Sequence, residues 1–309
     1  MPESTNVHWP AGCFFAFLPA SRGNEGRRER GTQLAMSPES PLLQNKHFER
    51  PAVFNPENLM RETRRQKSIP SGMVPAFCIL DPDGDIVAHL LRNQQAERDP
   101  AWACYHSTLY RFERNGMAFG IIGCAVGGPF AVLLAEQFFV SGCELLVSIT
   151  SAGQIAPLRE PPYFVLIERA LRDEGTSHHY LPAAKYVHLP TEVEKRLGQL
   201  LTQFSPPLQR GGAWTTDAPY RETAEAIEAA RAEGVLAVEM EAASLYAFAQ
   251  ARQKPVVCFA HITNRMGVSE GDFEKGEADG TLVSLRLIEA VARSWRLLPR
   301  AMRTKVITV

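Results

Sequence analysis

The sequence predicts an α/β protein, a three-layer αβα sandwich with a central mixed β-sheet. Five apolar runs have the length and branching of buried strands, and segments with helical spacing separate most of them. These runs cover residues 76–80, 117–124, 145–150, 184–189 and 256–262. Because 45% of the 309 residues are hydrophobic, the chain also holds enough apolar side chains for a large core.

The apolar spacing predicts helices between and beyond these runs. One helix opens at Pro129 after a glycine turn, so residues 117–150 form a strand–helix–strand unit whose crossover should be right-handed. A second helix extends to Lys67 from Asn55, a candidate N-cap, with Pro56 in its first turn. The other predicted helices cover residues 162–173, 191–204, 221–232, 242–252 and 281–294.

Two parts of the chain differ in composition. Residues 1–50 mix Gly, Pro, Ser and clustered charges without sustained periodicity, which predicts a flexible N-terminal extension. The apolar run within residues 11–20 is too short to span a bilayer and follows no basic residue, so we expect no signal peptide. Residues 51–309 should form a single catalytic domain.

Charge and cysteine usage limit the classes of ligand. With 33 basic and 34 acidic residues the net charge is −1, so we expect neither nucleic acid nor a membrane as partner, and a small molecule is favoured. The six cysteines lie far apart without zinc spacing, which predicts reduced, buried thiols in a cytoplasmic protein. The segment Asp81-Pro82-Asp83-Gly84-Asp85 departs from a calcium loop by its early glycine, so we interpret it as a loop and predict no metal site.

Two segments predict a pocket beside the sheet. The turn Gly123-Cys124-Ala125-Val126-Gly127-Gly128 lets backbone approach a ligand, and the helix after it offers free N–H groups to an anion. Residues 148–153, which include Thr150 and Ser151, bring hydroxyls to the carboxyl edge of the next strand. A plain strand-to-helix turn and ordinary Ser/Thr turn chemistry are the alternatives. Ala125 breaks the dinucleotide fingerprint, which disfavours an NAD-type oxidoreductase.

Acidic and amide side chains mark two further strand ends. Glu239 and Glu241 bracket Met240 at the start of a predicted helix, where acidic residues are also favoured simply by the helix dipole. A carboxylate is a natural acceptor for two vicinal sugar hydroxyls, because each oxygen takes a hydrogen bond. Asn264 and its neighbours follow the last apolar run and should reach the same edge of the sheet. This pairing suits an enzyme that grips a sugar and its departing base.

Together these segments resemble the family of purine nucleoside phosphorylases and uridine phosphorylases, over residues 75–294. The turn at residues 123–129 is similar to the family's Gly-x-Gly-Met-Gly-x-Pro loop, and Thr150-Ser151-Ala152-Gly153 is similar to its Gly-Ser/Thr-Cys-Gly segment. Val238-Glu239-Met240-Glu241-Ala242-Ala243 resembles its Val-Glu-Met-Glu-Ala-Ala signature, and residues 214–220 stand where the family lines its base pocket. The resemblance implies a nucleoside phosphorylase-like αβα fold.

The resemblance also implies roles for individual residues. Glu241 would bind the ribose hydroxyls and Met240 would pack on the sugar. Asn264 would hydrogen-bond the departing base, since an amide can donate to it but cannot protonate it. The remaining implied contacts are Glu239, Pro219 and Tyr220 at the base, and Ser151, with Thr150 and Gly127, at phosphate.

Three departures concern phosphate. Gly84 and Ser148 stand where hexameric members of the family have phosphate arginines, and a third arginine lent by a neighbouring subunit would fall near Tyr105. Each hydrogen bond to a charged group is worth about 1.5–3 kcal/mol, so their absence weakens phosphate binding. The nearby substitutes in the sequence are His106, Arg111 and Arg92.

The resemblance implies a pentosyltransferase that cleaves the N-glycosidic bond of a purine or pyrimidine nucleoside with phosphate as nucleophile. Hydrolysis by water is the close alternative, and a non-catalytic nucleoside- or nucleotide-binding module is a third. Inorganic phosphate is the candidate co-substrate, and no cofactor is implied. By analogy with the family we expect a homo-oligomer.

Overall fold

The computed structural model describes residues 40–296, apart from the side chains of residues 199–203. Most of the predicted N-terminal extension, including the apolar run at 11–20, therefore lies outside the described residues. The ten strands of the described chain are β1 Phe77–Asp81, β2 Ala96–Arg98, β3 Tyr110–Arg114, β4 Met117–Gly123, β5 Leu145–Gln154, β6 Tyr163–Asp173, β7 Tyr186–His188, β8 Gln209–Thr216, β9 Val235–Glu239 and β10 Val256–Asn264. Its α-helices are α1 Pro56–Lys67, α2 Asp85–Arg92, α3 Gly128–Val140, α4 Ser177–Tyr180, α5 Thr191–Gln203, α6 Ala224–Ala232, α7 Ala242–Arg252 and α8 Thr281–Arg296.

All ten strands belong to one mixed sheet, which confirms the predicted α/β class. The strand order is β10-β6-β8-β9-β5-β1-β4-β3-β2, with β7 added beside β6. Strand β10 also pairs with β5, so β5, β10, β6, β8 and β9 close into a ring that the sequence did not predict. Because β1, β5 and β10 are parallel neighbours, their carboxyl ends meet at one edge.

The helices pack in two groups. Helices α1, α3, α4 and α7 contact one another, and α2, α5 and α8 form the second group. Helix α7 packs on β6, β7, β8 and β10, whereas α8 packs on β5. In the first group α1 begins as predicted, because the Asn55 side chain accepts a hydrogen bond from the Asn58 N–H at 2.9 Å. None of the described helices is long and apolar enough to cross a membrane.

The predicted helix at residues 162–173 is wrong, because this segment is strand β6. Its first five residues are all apolar and all buried, and a short continuous run of this kind has no period that separates a helix from a buried strand. The β-branched and aromatic side chains of Phe164, Val165 and Ile167 favour the strand. Hydrogen bonding to β10 on one side and to β8 on the other fixes this segment as a strand.

The cysteine prediction holds in part. Cys78, Cys104, Cys143 and Cys258 are buried and free of disulfides, whereas Cys124 is exposed in the glycine turn between β4 and α3. Its backbone is left-handed there, with φ of 60°, which turns the chain sharply after the strand. Cys13 lies outside the described residues.

Candidate active site

One cavity of about 340 Å³ opens at the edge where β5, β9 and β10 end. All the residues predicted for the site line this cavity, except Gly127 and His106. The lining consists of Pro82, Asp83, Val126, Thr150, Ser151, Ala152, Gly153, Pro219, Tyr220, Glu222, Val238, Glu239, Met240, Glu241, Asn264, Met266 and Phe273. Its volume is within the range of small-molecule sites.

Glu241 is the most deeply placed polar group of the cavity. It is the N-cap residue of α7, and its side chain is buried. Its Oε1 accepts a hydrogen bond from the Gly127 N–H at 2.6 Å, whereas Oε2 has no partner among the described residues. Burial, and then the neighbouring Glu239, raise the pKa of Glu241. A buried oxygen without a partner is available to a ligand's hydroxyl group.

Glu239 already has partners for both of its oxygens. Oε1 accepts from the Thr215 hydroxyl, and Oε2 accepts from the N–H groups of Glu241 and Ala242 at 2.7 Å each. These N–H groups belong to the beginning of α7, so Glu239 satisfies the helix terminus and orients Glu241. Burial raises the pKa of Glu239. Glu239 lines the cavity as predicted, but its hydrogen-bonding capacity goes mainly to the protein.

The glycine turn supports Glu241 and does not line the cavity through Gly127. Gly127 has φ of 89°, a left-handed backbone that glycine adopts without strain, and this aims its N–H at Glu241. Gly128 follows at the start of α3, where α3 packs closely against Ser244 of α7. The Gly127 N–H was predicted to contact phosphate, but it already donates a hydrogen bond to Glu241 of the same chain.

The side-chain amide of Asn264 is held in one orientation. Its Oδ1 accepts from the Met266 N–H at 2.9 Å, and its Nδ2 donates to the Thr263 hydroxyl at 3.1 Å. The backbone donor identifies the oxygen, so the nitrogen must lie on the other side. An amide nitrogen carries two hydrogens, and the second has no partner among the described residues. This hydrogen can be donated to a ligand.

Ser151 is hydrogen-bonded to Asp83, an aspartate that the sequence predicts to lie in a loop. Asp83 Oδ2 accepts from the Ser151 N–H at 2.7 Å, and Oδ1 accepts from its hydroxyl at 2.6 Å. Lys275 lies beside this pair, with its Nζ 3.9 Å from Asp83 Oδ1 and 2.5 Å from Asp85 Oδ2. The place of Asp83, two residues after β1, puts it at the sheet edge of the site.

The cavity lining contains no lysine, arginine or histidine within the described chain. Two of the suggested substitutes for the phosphate arginines are committed or distant: Arg111 forms an ion pair with Asp99 at 2.6 Å, and Arg92 ends α2 outside the lining. His106 lies exposed beside Tyr105 and is not part of the cavity lining. Ser148 is buried, and its hydroxyl has no partner among the described residues.

The comparisons with known proteins agree with this architecture. The model of the phosphorylase superfamily matches residues 77–296. The chain belongs to the phosphorylase superfamily. It is 25% identical to the uridine phosphorylase of Thermococcus kodakarensis, over 72% of this chain and 84% of that protein. It is also 29% identical to the uncharacterized protein R802 of Acanthamoeba polyphaga mimivirus, over 46% of this chain and only 55% of that protein.

The fold is shared with solved members of the superfamily. The uridine phosphorylase of Vibrio fischeri ES114 superposes with a TM-score of 0.61 at 18% identity, over 71% of this chain and 92% of that one. That structure is a complex with 6-hydroxy-1-naphthoic acid, and a second structure of the same protein superposes equally well. At this identity the likeness establishes the nucleoside phosphorylase fold.

Among the residues that line this superfamily site, Glu222 and Phe273 were not predicted from the sequence. Val126, Tyr220 and Phe273 form an apolar rim, with exposed fractions of 55%, 99% and 68%. Tyr220 was predicted, whereas Phe273 belongs to the loop after β10, where no pattern marks it. Glu222 is half-buried in the lining, and burial raises its pKa to about 7. Only the folded chain brings this carboxyl group beside the cavity.

Proposed function

We propose that the protein cleaves the N-glycosidic bond of a purine or pyrimidine nucleoside. One observation carries the proposal: the cavity combines Glu241, whose buried Oε2 has no partner in the described chain, with the unused N–H of the oriented Asn264. The hydroxyl groups of a sugar need hydrogen-bond acceptors, and a departing base needs a hydrogen-bond donor. Membership of the phosphorylase superfamily, and the named uridine phosphorylases among its relatives, support the same reaction class.

Each group then has a distinct task. Glu241 Oε2 accepts hydrogen bonds from the ribose hydroxyls, and Met240 packs on the sugar. As the bond breaks, positive charge develops at C1′ and the electron pair moves to the base. Asn264 donates to that base and stabilises it without transferring a proton. Glu239 orients Glu241 through the N–H groups at the beginning of α7, and Glu241 holds the sugar in position, which contributes through orientation.

The proposed reaction also needs a nucleophile that attacks the sugar. Phosphate is the family's nucleophile and our first candidate. Hydrolysis by water is the second candidate, and one observation favours it: the described lining offers a dianion the carboxyl groups of Asp83, Glu222, Glu239 and Glu241 and no cation. Those carboxyl groups that are ionised repel a dianion, and the described lining has no cation to balance them. A cation supplied by another copy of the chain would restore phosphorolysis.

A homo-oligomeric state and a cytoplasmic location are further proposals. The exposed apolar rim supports the first, because Val126, Tyr220 and Phe273 would be covered by a second copy. Four buried cysteines without disulfides support the second. Light scattering of the purified chain tests the oligomeric state, and a monomer at micromolar concentration would contradict it.

The test of activity is a panel of purine and pyrimidine nucleosides, incubated with the purified full chain with and without inorganic phosphate. Chromatography of the free base reports cleavage, and the sugar product is identified separately. We expect base release from at least one nucleoside and a slower release in the Glu241→Ala variant. Binding of nucleosides without any base release would instead indicate the non-catalytic binding module.

A further inference from the structure

The anion-binding donors of Ser151 are already occupied by a carboxylate of the same chain. Both Asp83 oxygens accept from Ser151, at 2.7 Å from its N–H and 2.6 Å from its hydroxyl. Ser151 is the residue that the resemblance assigns to phosphate. Asp83 therefore takes up the donors that an incoming phosphate would need.

The position of Asp83 is built by the fold. It follows β1, whose register aligns Leu80 with Ser148 of β5, so the turn after β1 comes alongside the end of β5. The Asp83 side chain is 27% exposed and lines the cavity that also contains Glu241 and Asn264. Lys275 lies 3.9 Å from Asp83, but its closest partner is Asp85 at 2.5 Å. The carboxylate of Asp83 thus lines the cavity, while the nearby cation is held mainly by Asp85.

We propose that Asp83 replaces phosphate in this chain and acts as the base for an attacking water, so the reaction is hydrolysis of the nucleoside. This inference rests on the proposed cleavage of the glycosidic bond and chooses water, the second candidate, as its nucleophile. Each carboxylate oxygen has two lone-pair sites, so one can accept from Ser151 and still accept from water. Ser151 acts as a positioning residue, because it holds the carboxylate without touching the substrate.

The chemical step balances without a further reactant. The water oxygen forms a bond to C1′ while the C1′–N bond breaks and its electron pair goes to the base. One proton of the water passes to Asp83. The departing base takes a proton from solvent, and Asp83 later releases its proton to solvent. The products are a free sugar and a free base. Asn264 stabilises the base during bond breaking.

The first experiment compares wild type with Asp83→Asn, which keeps the size of the side chain but removes its basicity. We expect wild type to release free sugar at a rate that added inorganic phosphate does not change. In Asp83→Asn we expect kcat to fall by roughly 100-fold or more with little change in KM, the usual scale of general-base loss. Asp85→Asn removes an equal charge two residues away and leaves the Ser151 contacts, so it serves as the control.

A second variant tests the exclusion of phosphate directly. Asp83→Ala frees both donors of Ser151, and we expect it to bind inorganic phosphate in a calorimetric titration where wild type shows no heat. Thermal melting confirms that each variant is folded. An Asp83→Ala variant that still ignores phosphate would overturn the claim that Asp83 excludes it.

The outcomes separate this inference from the proposed function. A phosphate-dependent reaction of wild type that yields a sugar 1-phosphate overturns the role of Asp83 and leaves glycosidic cleavage intact. An Asp83→Asn variant with the kcat of wild type also overturns it. Failure of wild type to cleave any nucleoside, with or without phosphate, overturns the proposed function itself and this inference with it.

Discussion

Glu241 accepts a hydrogen bond at 2.6 Å from the backbone N–H of Gly127, which lies 114 residues earlier in the chain. This contact joins the turn before α3 to the beginning of α7. It fixes one carboxylate oxygen and leaves the other without a partner in the described chain. The site is therefore assembled by a long-range hydrogen bond between two segments whose motifs are far apart in sequence.

The first prediction concerns sugar recognition. Glu241→Ala removes the acceptor for the ribose hydroxyls, so kcat/KM for a ribonucleoside should fall by about 2- to 10-fold, as for one lost hydrogen bond of about 0.5–1.5 kcal/mol. Wild type should prefer ribonucleosides to 2′-deoxynucleosides, and the variant should lose much of this preference. Steady-state kinetics on matched pairs of substrates measure both effects. An unchanged preference in Glu241→Ala would show that Glu241 does not contact the hydroxyl.

The second prediction concerns the departing base. Asn264→Ala removes the oriented donor, and we expect kcat to fall by roughly 10²–10³-fold, the scale seen when one preorganised donor is lost. Thr263→Val keeps the amide but removes the acceptor of its other hydrogen, so a smaller loss is expected. Single-turnover rates of base release compare the two variants. Full turnover in Asn264→Ala would exclude Asn264 from catalysis.

The third prediction is a pH dependence of stability. Burial raises the pKa of Glu241 above its ordinary value of 4.5, so from about pH 4.5 up to the raised pKa the folded state binds more protons than the unfolded state. The free energy of unfolding should therefore fall as pH rises through this window. Glu241→Gln removes this contribution and should flatten the fall. Urea unfolding at several pH values provides the slopes, and identical slopes in both proteins would contradict a raised pKa.

The fourth prediction concerns packing beside the site. A Cβ at Gly128 would lie 2.8 Å from the Ser244 Cβ, so Gly128→Ala should destabilise the fold by about 1–3 kcal/mol. Gly198→Ala provides the matched control, because a Cβ there meets no atom within 4 Å. In α5 that change should be neutral or stabilise by up to about 1 kcal/mol. Urea unfolding measures both variants, and equal effects would contradict close packing of α3 on α7.

Much of the secondary structure was predictable from local sequence patterns. The Asn55 cap of α1, the helices α5 and α7, and the strands around residues 117–124 and 256–262 follow from short-range spacing, and the structure confirms them. Glu241 and Asn264 were predicted to lie at one edge of the sheet, because each stands at the end of a predicted buried element. Residues 162–173 were misjudged because a run buried on both faces carries no period, so only the neighbouring strands could decide its structure.

The sequence by itself determined the elements and the chemistry available at their ends, because caps, turns and apolar periodicity act over a few residues. It did not determine that Asp83 holds Ser151, 68 residues away, or that Glu239 serves the start of α7. Hydrogen bonds of this kind depend on strand register and on how a turn approaches its neighbour. Those distances exist only once the sheet is formed, so the tertiary structure alone decided which acids face a ligand and which are used by the protein.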